Sequence, residues 1–412
     1  MSKRRVVITG MGAVTPIGNN IQDLWESVVD GKCGIAPITA YDTSNQKAKL
    51  AGEVKNFAPE TVIDKRELRK LDRSTQFAMY ASDEAVKMSG IEIEKEDAYR
   101  CGVLVSTGIG GLDTIEKECL KGEAKGFDRV SPYFIPMSIA NMPAGNVAIA
   151  HGFKGMCSCP VTACASGTNA IGDAMRHIRD GYAEVMICGG AEASITRFGV
   201  GGFTSLKALC TSEDPTRASI PFDAQRSGFV MGEGAGILVL EEYEHAKNRN
   251  AKIIAEVIGY GATCDAHHIT APDPNGVGAA KAMSEAVKDA NINSDNIDYI
   301  NAHGTSTPLN DAGETKAVKL AFGEHAYNLC ISSTKSMTGH LLGASGAVEG
   351  IITALAIKNN FVPATINYKE KDENCDLDIV PNVGRSVQLE YAISNSLGFG
   401  GHNASIVFKK IK

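Results

Sequence analysis

The sequence predicts an α/β fold made of two related halves. Three observations predict it: glycines cluster beside short apolar runs, strand-like and helix-like segments alternate, and three segments early in the chain are echoed later in the same order.

The alternation can be followed from the N-terminus. Residues 6–9 read as a buried strand ending in the turn Gly10-Met11-Gly12, and residues 21–29 as a short amphipathic helix. Further strands are expected at 101–106, 185–188, 237–240, 253–258, 299–302 and 404–408, with helices near 74–88, 164–180, 277–290, 312–321 and 343–358 between them. The 43 glycines suit turns that join strands to helices.

The echoes set the architecture. Ile8-Thr9-Gly10-Met11-Gly12-Ala13 resembles Ile258-Gly259-Tyr260-Gly261-Ala262, with the glycines in step. Ala165-Ser166-Gly167 and Ala344-Ser345-Gly346 each open a long helix, and Asn301-Ala302-His303-Gly304 follows a strand as Ser106-Thr107-Gly108 does. Partner spacing shrinks from about 250 to about 180 residues, which places an insertion across residues 110–160. A first half, 1–250, would then carry the insertion and a candidate nucleophile, and a second, 251–412, would carry two histidines; they join near 241–252. Equivalent strand-to-helix turns should converge on one central site.

Bulk properties narrow the function. With 412 residues, 43% hydrophobic and 22% charged, the chain can bury a large core. A formal charge of −7 argues against nonspecific binding to nucleic acid or anionic lipid, so an acidic partner needs a local basic patch. Eleven cysteines without metal-ligand spacing, apart from the close pair Cys157 and Cys159, suggest a reducing cytoplasm. The opening MSKRRVVITGMGAV has too short and glycine-broken an apolar stretch for a signal sequence, and no run of 18 apolar residues follows.

Four segments carry candidate chemistry. In Pro160-Val161-Thr162-Ala163-Cys164-Ala165-Ser166-Gly167 a cysteine sits at a helix start, where amide dipoles favour a thiolate; a small buried core cysteine is the competing reading. Asn301-Ala302-His303-Gly304-Thr305-Ser306-Thr307 places a histidine on a turn after a strand. Ser333-Thr334-Lys335-Ser336-Met337-Thr338-Gly339-His340 adds a lysine and a second histidine before another helix. Gly398-Phe399-Gly400-Gly401-His402 can turn backbone amides into a site as an oxyanion hole, or form a plain hairpin turn. His151, His177, His267 and His268 read as structural, and no metal site is expected among them.

These motifs, with VVITGMGAVTPIG, PFDAQRSGFVMGEGAG, NAHGTSTPLND, TKSMTGH and NSLGFGGHNASIVF in order, resemble the β-ketoacyl-acyl-carrier-protein (ACP) synthases, most closely the type II condensing enzymes of fatty acid elongation. The resemblance implies a thiolase-like fold, two duplicated halves layered αβαβα, and a homodimer. It implies that Cys164 takes an acyl chain from ACP and that His303 and His340 serve a malonyl donor. Backbone amides of Cys164 and Phe399 would form the oxyanion hole, with Phe399 and Gly400 in the gate and Lys335, paired with Glu314, setting the electrostatics. Thr305 and Thr307 would bind the pantetheine arm, Ile109 and Phe203 would line the acyl pocket, and Lys65, Arg66, Arg69 and Lys70 would meet the carrier protein. No cofactor is implied beyond the carrier's phosphopantetheine, although a structural monovalent cation near Asn301, Glu349 and Ser394 belongs to the pattern. His402 and Asn310 depart from it where threonine and glycine are common. Two alternatives are a polyketide-type ketosynthase and a noncatalytic chain-length partner subunit, and Cys164 argues against the second.

Overall fold

In the computed structural model, residues 4–411 are described; the first three residues of the basic N-terminal stretch lie outside them. The first half contributes strands β1 (Val6–Val14), β2 (Cys101–Ser106), β3 (Cys157–Ser158), β4 (Val185–Glu192) and β5 (Gly234–Glu242). The second contributes β6 (Ala255–Cys264), β7 (Tyr299–Asn301), β8 (Cys330–Ser332), β9 (Tyr391–Gly398) and β10 (His402–Lys409). Together they form one sheet in the order β8-β7-β9-β10-β6-β1-β5-β4-β2-β3.

Read outward from the β1–β6 seam, the order is the same in both directions. Each outer trio is parallel, β3 and β4 flanking β2 as β8 and β9 flank β7, and the remaining pairs are antiparallel. The seam spans three pairs, Val6 with Val257, Val7 with Glu256 and Ile8 with Ala255. The duplication expected from the echoes is thus a structural one.

The first echo has a packing cause. Gly10 and Gly12 lie inside β1 and form no turn; a Cβ at Gly10 would sit 2.0 Å from the Ala85 carbonyl and one at Gly12 1.9 Å from that of Ala81. Gly259 and Gly261 in β6 face the Ala286 and Ala282 carbonyls at 2.2 and 2.0 Å. The missing side chains let a helix lie directly on each strand.

After α1 (Ile21–Val29), those covering helices on the first half are α2 (Arg73–Ser89) and, beyond the peripheral α3 (Leu112–Lys125), α4 (Met142–His151), with α5 (Ser166–Arg179) in the interior. The second half has α6 (Val277–Asp289) and α7 (Pro308–Phe322) outside and α8 (Ser345–Asn359) inside. Strand periodicity divides the core accordingly. Leu238 and Leu240 of β5 pack inward with α5 and α8, while Ile237 and Val239 face α2. A third cluster joins α6 and α7 to Ile300 and Ile393. The layers are therefore αβαβα, as the resemblance implied. Helix α8 is buried from Ser345 through Ile357, as a helix with protein on all sides must be.

The insertion is not confined to 110–160. The connection 107–156 is longer than its counterpart 302–329, but 15–100 exceeds 265–298 by more, and 193–233 answers to the three-residue tip 399–401. Most of the change in spacing therefore arises before β2.

Candidate active site

The two interior helices begin alike. In each, a 3-10 turn, Ala163–Ala165 or Leu342–Ala344, leads into the helix, and its first residue holds a left-handed backbone, φ 50° at Ala163 and 48° at Leu342. Neither is glycine, so each turn stores about 1–3 kcal/mol of strain, held by its surroundings. In the first half this turn presents Cys164 and in the second Gly343.

Cys164 opens onto a cavity of about 290 Å³ that also receives His303, His340, Thr305, Thr307, Phe203 and Phe399. The backbone amides of Phe399 and of Cys164 itself lie close enough to its sulfur to favour the anion, against the burial that disfavours it. The first of these comes from the tip of the β9–β10 hairpin, where Gly400 and Gly401 take φ of 87° and 76° and Gly401 N–H bonds the Gly398 carbonyl at 3.1 Å. The glycine-rich segment is therefore a hairpin turn that also brings a backbone amide beside the sulfur.

The expectation of a thiolate made by the helix start is overturned. Helix α5 begins at Ser166, and burial pushes the Cys164 thiol up to about 12, against the opposing charge of Lys335 and the two amides. Burial thus favours the thiol over the thiolate.

The imidazoles come from the second half. His303 follows β7, and Glu314 of α7 fixes its turn by accepting the amides of His303 and Gly304, both at 2.8 Å. His340 is tied to the first half through its amide on the Val230 carbonyl at 2.7 Å, and its Nδ1 meets Ser345 Oγ at 2.9 Å. The rings stand edge to face, centroids 5.2 Å apart. Burial holds both well below the usual histidine range, assisted by the nearby Lys335 charge, so both are neutral at pH 7.

Lys335 does not pair with Glu314. Its ammonium contacts Glu349 Oε1 on α8, both side chains being nearly fully buried, and burial raises the Glu349 carboxyl to about 7. Glu314 is consumed by the His303 turn and, with Lys335, lies outside the cavity lining. Buried atoms nearby without a partner include the oxygens Asn301 Oδ1, Glu349 Oε2 and Ser394 Oγ. Asn301 and Ser394 face each other in the β7–β9 register.

Of the other expected residues, Thr305 and Thr307 share a hydroxyl hydrogen bond of 2.9 Å on the cavity wall. Phe203 lies 5.3 Å from Phe229 and 6.2 Å from Phe399, ring to ring. Ile109 is 38% exposed on the turn after β2 and is not part of this lining, nor is Gly400. Lys65, Arg66 and Arg69 are exposed on and beside the short helix Lys65–Leu68, while Lys70 pairs with Glu67 at 2.7 Å. Asn310 lines the cavity and bonds Asp311; His402 packs beneath Gly400.

Sequence reasoning missed Phe229, whose ring stacks edge to face on His340 at 5.2 Å, and named Glu349 only beside a cation, not as the partner of Lys335. The second left a signal: a lone acid in the otherwise apolar run SGAVEGIITALAI.

Among known proteins, residues 3–246 match the family model described as "Beta-ketoacyl synthase, N-terminal domain" and residues 254–369 the one described as "Beta-ketoacyl synthase, C-terminal domain". The chain is 52% identical over 411 residues to a Synechocystis sp. protein named 3-oxoacyl-[acyl-carrier-protein] synthase 2, covering 100% of this chain and 99% of that one. A Staphylococcus aureus protein of the same name is 52% identical over 409 residues, 99% of each chain. A type II PKS ketosynthase, solved in complex with its acyl-carrier protein and bound to the hexaketide, superposes with a TM-score of 0.92 at 35% identity over 100% of both chains.

Proposed function

The chain belongs to the β-ketoacyl synthase family, and from that premise we propose that the cavity lengthens acyl chains carried on ACP, by the decarboxylative condensation of a β-ketoacyl-ACP synthase II. The observation that supports this most is the convergence of two amides on Cys164 in a cavity shared with two neutral imidazoles from the other half.

The residues divide the work. In acyl transfer the Cys164 sulfur attacks the carrier's thioester, the bond to pantetheine sulfur breaks, and the proton lost by the thiol ends on that departing sulfur. The Cys164 and Phe399 amides take the carbonyl oxygen as it becomes anionic, each worth about 10²- to 10³-fold in comparable sites. Malonyl-ACP then enters over Thr305 and Thr307, whose paired hydroxyls suit a pantetheine amide. Its carboxylate leaves as CO₂, and the electron pair passes into an enolate. Neutral His303 and His340 donate N–H hydrogen bonds to the enolate oxygen, which a charged imidazolium would over-stabilise by protonation. The enolate carbon attacks the acyl-cysteine, and collapse gives 3-oxoacyl-ACP and a cysteine thiolate that regains a proton from water.

The implied monovalent cation fits the donors present, since Asn301 Oδ1, Glu349 Oε2 and Ser394 Oγ are buried oxygens without partners. When bound it would supply a fixed positive charge beside Glu349. The −7 chain would meet an acidic carrier through Lys65, Arg66, Arg69 and Lys70. Exposed Ile135, Ile149 and Val161 near the edge strand β3 fit a second copy of the chain, as expected of a homodimer. Eleven free cysteines suit a cytoplasmic setting, and among the described residues no helix is long and apolar enough to cross a membrane.

The 52% identity to proteins named 3-oxoacyl-[acyl-carrier-protein] synthase 2, against 35% to the type II PKS ketosynthase, favours fatty acid elongation. A noncatalytic chain-length subunit is disfavoured by the presented Cys164. Acyl-ACP of graded length, followed by malonyl-ACP, should first add one acyl mass to the protein and then yield the 3-oxoacyl product. Cys164→Ala should take up no acyl group; acylation and normal elongation by that variant would sink the proposal.

A further inference from the structure

The duplicated helix starts are used in opposite ways. At the first half's helix start, β9 of the second half leads to Phe399, whose amide joins that of Cys164 in lying beside the reactive sulfur. At the second half's helix start the equivalent of Cys164 is Gly343, and the equivalent strand, β4 of the first half, ends at Glu192. There the place of a reacting group is taken by a carboxylate. Glu192 Oε2 accepts the amides of Gly343 at 3.1 Å and Gly108 at 2.8 Å, while Oε1 accepts the hydroxyls of Ser194 at 2.8 Å and Thr107 at 3.2 Å. Glu192 is 0% exposed, and all four donors are neutral.

We propose, on the condensing reading above, that Glu192 is a positioning residue: an internal carboxyl group that fills the second half's helix start and clamps the Thr107–Gly108 loop to the turn that carries His340. The geometry accounts for both sides of the clamp. Gly343 follows His340 by three residues, across the left-handed Leu342. A Cβ there would lie 2.1 Å from Gly108 N, so the two backbones touch, and glycine is required where the first half has its nucleophile. On the other side, Thr107 Oγ1 also receives the Gly110 amide at 3.1 Å, which fixes the root of the loop bearing Ile109. Without Glu192 two buried amides lose their acceptor, and the strained Leu342 turn loses what holds it.

Glu192→Ala should therefore lower kcat for malonyl-ACP decarboxylation and for condensation about ten- to hundred-fold, with KM for malonyl-ACP within about three-fold. Glu192→Gln should recover to within about five-fold, because its carbonyl can accept both amides while its NH₂ donates to the Ser194 and Thr107 oxygens. A residue needed only for stability would lower the unfolding midpoint without this split between kcat and KM, and would not be rescued selectively by glutamine. Folded Glu192→Ala protein with unchanged kinetics, or Glu192→Gln as impaired as Glu192→Ala, overturns the proposal. If Glu192→Ala does not fold, Gly343→Ala decides, since it wedges the clamp apart with Glu192 in place: a kcat loss of similar size supports the clamp and a normal rate overturns it. A wild-type protein that forms no 3-oxoacyl product would count against the condensing reading, whereas active wild type and equally active Glu192→Ala count against the clamp alone.

Discussion

Replacing Lys335 by methionine tests the electrostatic centre of the site. The side chains are similar in length, so the main change is removal of an ammonium buried to 1% exposure beside Glu349. Taking one partner from a buried ion pair costs about 3–5 kcal/mol, because the remaining charge is left in a medium that solvates it poorly. The pairing also predicts coupling. Lys335→Met and Glu349→Leu together should cost less than the sum of the single changes by about 1–3 kcal/mol. Urea unfolding followed by fluorescence of Trp25, which packs edge to face on Phe361 at 6.0 Å, measures all four proteins. The charge reaches further. Lys335 holds the Cys164 thiol and both imidazoles below where burial alone would set them or adds to their lowering, so its loss should raise all three, and iodoacetamide should alkylate Cys164 more slowly at pH 8. Additive energies, or Lys335→Met protein within 1 kcal/mol of wild type by the same measure, would refute the buried pair as the organising charge.

Other perturbations address the fold. Gly12→Ala and Gly261→Ala each drive a methyl against a helix carbonyl, at 1.9 and 2.0 Å, so both should destabilise by the upper part of about 1–3 kcal/mol in denaturant titrations; one tolerated and the other not would break the equivalence of the halves. His245 lies between Glu241 Oε1 at 2.6 Å and Glu96 Oε2 at 2.9 Å, and its hydrogen bond to Glu241 is the largest cause raising it to about 9. Its folded pKa lies above the unfolded one, so its contribution is full below pH 6.5 and disappears as pH rises through about 9. With part of the ring in solvent the amount is about 1–2 kcal/mol. Melting curves of wild type and His245→Gln should converge between those pH values, and parallel curves would contradict this.

Much of the site was legible because its chemistry sits in continuous motifs. Cys164, His303 and His340 each stand at a glycine-marked turn, and turns at strand ends are where this architecture gathers side chains. What failed was long-range. The Lys335 partner depends on which of two buried acids faces it, and no local pattern ranks Glu314 below Glu349. Strand β9 is not legible because its buried residues Ser394, Asn395 and Ser396 are polar: Ser396 meets Thr168, Asn395 accepts from Ser405, and Ser394 Oγ is left open, in place of an apolar core. Gly10-Met11-Gly12 was read as a turn, since local propensity cannot reveal that a helix from 70 residues later needs the strand's surface bare. The helix-start argument for Cys164 named a true force but met a larger one in desolvation.

Helix α8 has a consequence for how the molecule comes into being. It covers the inward face of the first half, yet it lies more than a hundred residues after β5 is complete. A nascent chain therefore carries a sheet whose greasy inward side is covered only in part, by α5, until nearly nine-tenths of it has been made, so folding is slow and prone to sticking in the interval. Refolding yield should fall steeply with protein concentration, and recover when residues 345–359 are supplied early by circular permutation.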